Sequence, residues 1–173
     1  MSESAAVNLS ELLGAWAAKA SMWGPLVHHD PAERTFALLH RDEQSEVYVV
    51  CWMRDHDTGF HDHEECAAAI LVLEGAIREE RIALGGALGA TIAQGGGIEV
   101  PSDAIHRVRH AGDAPAVTLH GYSLPLARVG AYQVTEDGAL VLGRPHERHH
   151  LLARARRSPP AAAAAAARPW RRG

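Results

Sequence analysis

The stretch that decides the reading of this chain runs Thr58-Gly59-Phe60-His61-Asp62-His63, continues through Ala67-Ala-Ala-Ile-Leu-Val-Leu73 and turns at Glu74-Gly75. On an extended backbone successive side chains alternate faces, so His61 and His63 point one way and Asp62 the other. Two imidazoles on the same side at this reach are a ready pair of metal ligands. Among the 12 histidines of a 173-residue chain, a His-x-His pair arises easily by chance. Its setting gives it weight: Thr58-Gly59 before it, a short apolar run after it, and a turn to reverse the chain.

Working outward, the chain beyond Pro31 reads as short strands separated by turn residues. The strands are expected at 35–40, 46–53, 67–73, 76–84, 90–93, 98–100, 105–110, 116–123, 132–135 and 139–142. Clusters such as Gly85-Gly86, Gly95-Gly-Gly, Gly112-Asp-Ala-Pro and Glu136-Asp-Gly punctuate them. Residues 8–23 carry Leu9, Leu12, Leu13, Trp16, Ala17, Ala20 and Trp23 at helical spacing, with Asn8 and Glu11 as a capping box and Pro25 as the stop. One helix and ten short strands predict an all-β fold, a barrel or double-sheet jelly roll with the N-terminal helix packed outside. That fold class would be read with every histidine deleted.

Composition narrows the function. Apolar residues make up 47% of the chain, yet no run approaches the roughly 20 needed to span a membrane. Two cysteines, Cys51 and Cys66, are too few for a disulfide framework, and Met1-Ser-Glu-Ser lacks the pattern of a signal peptide, so a cytoplasmic protein is expected. All 21 acidic residues but only 11 of the 17 basic ones precede Arg154, giving the body a formal charge of −10 and the last twenty residues +6. A body this acidic argues against nucleic acid as a partner. The expected organisation is an N-terminal helical segment over 1–30, a β body over 31–145, and a basic Ala/Pro/Arg-rich tail over 146–173 whose composition predicts disorder.

Two further stretches carry chemistry. Pro101-Ser-Asp-Ala-Ile-His106-Arg-Val places a third histidine on a strand just after a turn, and a small barrel can bring inward residues of two strands onto one metal. Thr118, His120 and Tyr122 share one face of another strand, setting a hydroxyl, an imidazole and a phenol in a row.

Taken together, His61-Asp62-His63, Gly75 twelve residues beyond His63, Ile105-His106-Arg107-Val108 and Val117-Thr-Leu-His120-Gly-Tyr122-Ser-Leu-Pro125 resemble the cysteine dioxygenase family of cupins, from about Leu38 to Leu126. The resemblance implies a cupin jelly roll in which His61, His63 and His106, all neutral, hold iron(II). It implies a small thiol and O2 as substrates, oxidised to a sulfinate, with L-cysteine leading and 3-mercaptopropionate or another small thiol acid behind. It also matches Thr118, His120 and Tyr122 to the family's hydroxyl–His–Tyr relay. Three neutral ligands leave a metal its full charge, which favours an anionic thiolate.

The chain departs from the family pattern twice. The cysteine that is crosslinked to the tyrosine in animal members falls at Ala68, so Tyr122 is expected unmodified. The arginine that meets the substrate carboxylate falls near Phe36, flanked by Arg34 and Arg41. On an unbroken strand Arg34 and Phe36 share a face and Arg41 lies opposite, but Arg41 abuts the well-matched segment and is the preferred anchor. A rival reading gives Glu65 a ligand's role in a carboxylate-bearing cupin; another is a metal-binding cupin without thiol oxygenation. A monomer or a small homo-oligomer is compatible with either.

Overall fold

Two antiparallel sheets face each other and enclose the core. A computed structural model describes residues 7–83, 86–126, 129–136 and 139–143; the predicted tail over 146–173 lies outside the described residues. The strands are β1 (Thr35–Arg41), β2 (Ser45–Trp52), β3 (Phe60–Asp62), β4 (Ala68–Glu74), β5 (Ala76–Ala83), β6 (Gly86–Ala93), β7 (Gly97–Val100), β8 (His106–Ala111), β9 (Ala116–Ser123), β10 (Gly130–Val134) and β11 (Leu140–Leu142). One sheet runs in the order β1-β2-β9-β4-β7 and the other β11-β10-β3-β8-β5-β6. Their hydrogen bonding stays separate, so the double-sheet jelly roll, not a closed ring, describes the fold.

The central strands β2 and β9 are buried along almost their whole length, because both of their faces are covered. Tyr48, Val50 and Trp52 of β2 pack inward with Ile70, Val72, Ile77, Val108 and Tyr122. Val47 and Val49 pack outward with Val117 and Leu119 under Leu9 and Leu13 of the N-terminal helix. In β2 this leaves Val47–Trp52 as an unbroken apolar run instead of an alternating one.

The helix α1 (Leu9–Ala17) begins where expected, with Asn8 Oδ1 accepting the backbone N–H of Glu11 at 3.1 Å. It ends six residues earlier than the apolar spacing indicates. Lys19 leaves the helical region (φ −100°, ψ 57°), and a short second helix α2 (Ala20–Trp23) follows. The Trp23 indole N–H donates to the Ala17 carbonyl at 3.1 Å, satisfying a group that a continuous helix would have bonded internally. Where α1 crosses β9 the approach is close: a Cβ at Gly121 would lie 3.0 Å from Leu13 Cδ2.

Strand β3 is not among the expected strands, although its residues read as extended; three residues are too few to show a pattern. β6 starts four residues before its expected beginning, since Gly86 and Ala87 pair with Ala83 and Ile82 of β5 despite poor strand propensity. Between β4 and β5 the chain turns at Gly75 (φ +70°), where a Cβ would meet the Pro115 carbonyl oxygen at 2.5 Å and Ala116 Cα at 2.9 Å. Both the backbone angle and the backbone neighbour exclude a side chain. Gly75→Ala is therefore expected to cost about 1–3 kcal/mol, seen as a lower urea midpoint; an unchanged midpoint would show that the turn relaxes freely.

Candidate metal centre

The histidine stretch is positioned by Thr58. Its backbone N–H donates to the Val108 carbonyl at 3.0 Å, and its hydroxyl accepts the Val108 N–H at 2.9 Å. This clamp ties the approach to β3 onto β8 and sets His61 directly opposite His106. Asp62, on the other face, accepts the Gly130 N–H at 3.1 Å and the Tyr132 hydroxyl, fastening β10 to the back of β3. His63 follows the strand, before Glu64 takes a left-handed conformation (φ +54°).

The outcome is a cluster of three imidazoles. Ring centroids are 4.5 Å apart for His61 and His106, and 5.0 Å for His63 with each of the others. One ligand atom from each lies within 4.8 Å of those of the other two. His63 and His106 are buried. His61 Nδ1 lies 3.1 Å from the Gly59 carbonyl oxygen, which can only accept, so Nδ1 carries the proton and Nε2 keeps its lone pair. His63 Nδ1 and both ring nitrogens of His106 are buried with no hydrogen-bond partner among the described residues. Buried polar atoms rarely go unsatisfied, and three convergent imidazoles with orphaned nitrogens fit a metal ion.

Electrostatics points the same way. Burial, then the neighbouring histidines, holds His61 well below the ordinary histidine range and pulls His63 down to about 3. Both rings stay neutral, the form that ligates metal. Glu65 is exposed and lies outside the cluster.

The cavity around the cluster is small, with about 20 Å³ open to water-sized bodies. His61, His63 and His106 line it together with Arg34, His120 and Tyr122, and Val50, Ile70 and Val108 supply apolar wall. The Tyr122 ring meets the His63 ring edge-on at 5.2 Å. Burial, and next the nearby Glu46 carboxylate, pushes the Tyr122 phenol up, so it keeps its proton. Thr118 stands behind His120, with 3.0 Å between its hydroxyl and His120 Nε2. Burial followed by the Arg34 charge drives His120 well below its usual range. Ala68 sits directly across from Tyr122 in the β4–β9 ladder and also lines the cavity.

The two candidate arginines part company. Arg34 lines the cavity, its guanidinium 5.0 Å from the centroid of the Trp52 ring. A register shift between Leu38 and His40 turns Arg41 onto the side that an unbroken strand would deny it. There it pairs at 2.7 Å with the fully buried Glu46 carboxylate. Glu46 also accepts the Tyr48 hydroxyl at 3.2 Å and the Leu126 N–H at 2.9 Å. Phe36 packs into the core, edge-on to Tyr48 at 6.3 Å.

Two residues at the site do not stand out in the sequence. Trp52 donates its indole N–H to the Thr118 hydroxyl at 2.8 Å and stacks on His120, with centroids 6.0 Å apart. An indole closing an apolar strand gives no sign of this. Glu79, buried on β5, brings Oε1 within 3.5 Å of His106 Nδ1. Its signal was available: in the alternation of β5, an acid occupies the same face as the buried Ile77.

Comparison with known proteins agrees with this architecture. The structure of TT1209 from Thermus thermophilus superposes with a TM-score of 0.53 at 20% identity, covering 58% of this chain and 92% of that one. An uncharacterised double-stranded β-helix protein from Klebsiella pneumoniae gives 0.56 at 14% identity, covering 62% and 86%. Oxalate decarboxylase from Lactobacillus farciminis gives 0.51 at 14% identity, covering 60% of this chain and 32% of that one. At such identities the likeness speaks for the fold alone, that of the cupins. No curated protein sequence matches the chain. The family model described as cysteine dioxygenase type I matches residues 2–135, a span that takes in α1, the three clustered histidines and the Thr118–Tyr122 row, and the chain belongs to that family.

Proposed function

We propose that this protein is an iron(II)-dependent thiol dioxygenase that adds both atoms of O2 to the sulfur of a small thiol, with L-cysteine going to cysteine sulfinate as the leading reaction. The observation that carries the reading is the cluster of three buried or half-buried imidazoles in a chain of this family. 3-Mercaptopropionate and other small thiol acids are the alternatives within the same chemistry.

In this reading His61, His63 and His106 hold the iron. Iron(II), when bound, would supply open positions at which thiolate and dioxygen meet. The electron count closes without a further reductant: sulfur loses four electrons, O2 gains four, and the thiol proton is released. The protein's own groups do the rest. Val50, Ile70 and Val108 give the small cavity apolar walls, and apolar surroundings strengthen charge interactions inside. The protonated Tyr122 phenol offers a hydrogen bond to oxygen as it gathers charge on the forming sulfinate. His120, backed by Thr118 and stacked on Trp52, shapes the wall beside it. Arg34 meets the substrate carboxylate, since a guanidinium in a confined site is the natural partner of a carboxylate leaving water. Arg41, committed to Glu46, serves the fold in this reading.

A helical segment over 1–30, a cupin body over 31–145 and a basic tail over 146–173 remain the proposed organisation, supported by a helix that packs as its own layer on the sheet. The proposed setting is the cytoplasm, in line with two buried cysteine thiols. No described helix is long and apolar enough to cross a membrane.

The decisive experiment gives iron-loaded protein a panel of small thiols and follows oxygen uptake and sulfinate by mass spectrometry. Iron binding without oxygen uptake on any thiol would overturn the dioxygenase reading. His61→Ala, His63→Ala and His106→Ala should each lose most bound iron and nearly all turnover, with the far-UV circular dichroism still that of a β protein. Tyr122→Phe should keep iron and thiol binding but lower kcat by roughly 10–1000-fold, the cost of one positioned donor. Arg34→Ala should raise KM for acid thiols by about 10–100-fold while oxidising cysteamine no worse. Arg41→Ala should instead leave KM unchanged and cost about 1–3 kcal/mol of stability, because Glu46 is stranded in the core.

A further inference from the structure

An ionised acid inside an apolar sheet sandwich is expensive, and its partners show what it serves. Glu79 is such a group, its side chain 8% exposed. It lies on β5 between Ile77, which is fully buried in the core, and Arg81, which stands directly across from His106 in the β5–β8 ladder. Glu79 Oε1 faces two groups. On one side it accepts the Nε–H of Arg81, whose other end donates to the Glu99 carbonyl. On the other side it lies 3.5 Å from His106 Nδ1.

The three imidazoles are thus not held alike. His61 has its outward nitrogen tied to the Gly59 carbonyl, a neutral acceptor. His106, buried to 1% exposure, turns its outward nitrogen toward a carboxylate that a guanidinium holds in place. A carboxylate behind a ligating imidazole fixes the tautomer and ring orientation and makes the ring a stronger donor. The 3.5 Å separation is long for a hydrogen bond, and Nδ1 has no other hydrogen-bond partner among the described residues; a small rotation of the ring closes the gap.

We propose that Glu79, held by Arg81, is a positioning residue for the metal centre, taking the Nδ1–H of His106 so that Nε2 is presented to the ion with added basicity. The consequence reaches past affinity. Three neutral ligands would leave a bound ion's charge untouched, whereas this carboxylate compensates part of it from outside the coordination sphere and favours the more oxidised metal. The proposal rests on reading His61, His63 and His106 as the metal site.

The test uses the full-length protein freed of metal and titrated with cobalt(II), followed by the ion's visible absorption, together with the midpoint potential of the iron-loaded form. Glu79→Ala should weaken cobalt binding by about 10–100-fold. Glu79→Gln, nearly isosteric and still able to accept a hydrogen bond, should lose less affinity, yet both variants should shift the iron potential positive. Arg81→Ala should move both readouts in the same direction by a smaller amount. Variants that bind cobalt as the parent does, with the potential unmoved, would overturn the positioning role while leaving the three-histidine site intact. The test holds even if Glu79→Ala fails to fold, because Glu79→Gln carries both readouts. A parent protein that takes up neither ion would overturn this inference together with the metal-site reading beneath it.

Discussion

The arrangement depends most on one short contact, the pairing of β3 with β8 through His61 and His106. Three residues of strand have little hold of their own, so the pairing is secured from both sides. Thr58 clamps Val108 in front of it, and Asp62 fastens β10 behind it. Asp57 adds a second tie, pairing with Arg107 on the outer face of β8. The residues between and beside the two histidines are thus occupied in holding the histidines still. A site built on strands in this way keeps its geometry through packing instead of relying on a bound ion to assemble it.

The interior tolerates its polar groups because they come in small closed sets. Trp52 and Thr118 stand behind His120. Glu46 gathers Arg41, Tyr48 and the Leu126 N–H at one end of the core, and Glu79 is paired with Arg81, 3.5 Å from His106 Nδ1. Each of these two buried carboxylates has a guanidinium beside it, the condition under which such charges survive desolvation. The histidine cluster is not closed in this way. Its orphaned nitrogens gain nothing from any described neighbour, and burial with mutual repulsion keeps His61 and His63 unprotonated. A site that sheds protons to keep lone pairs is one prepared for a cation.

That preparation, together with the family to which the chain belongs, supports the thiol dioxygenase reading over a purely structural role. The cavity beside the histidines is small. The Arg34 guanidinium and the protonated Tyr122 phenol both line it.

Much of this was legible in the residues alone. The period-2 alternation of strands already put His61 and His63 on one side and Asp62 on the other, and Thr118, His120 and Tyr122 on a common face, because side-chain direction on a strand is a local property. Turn residues and short apolar runs determined the all-β class and the outer helix for the same reason. What escaped was whatever depended on a neighbour distant in sequence. The helix stops at Ala17 because Trp23 folds back on it; Arg41 reaches the inner side because β1 slips register against β2. Arg34 lies at the cavity because the segment before β1 closes over Trp52. Trp52 and Glu79 acquire their roles from partners 66 and 27 residues away. The sequence by itself determined which residues face inward together; only the packing of one sheet on the other decided which of those inward residues meet, since contact across a core is set by register and approach and not by local periodicity.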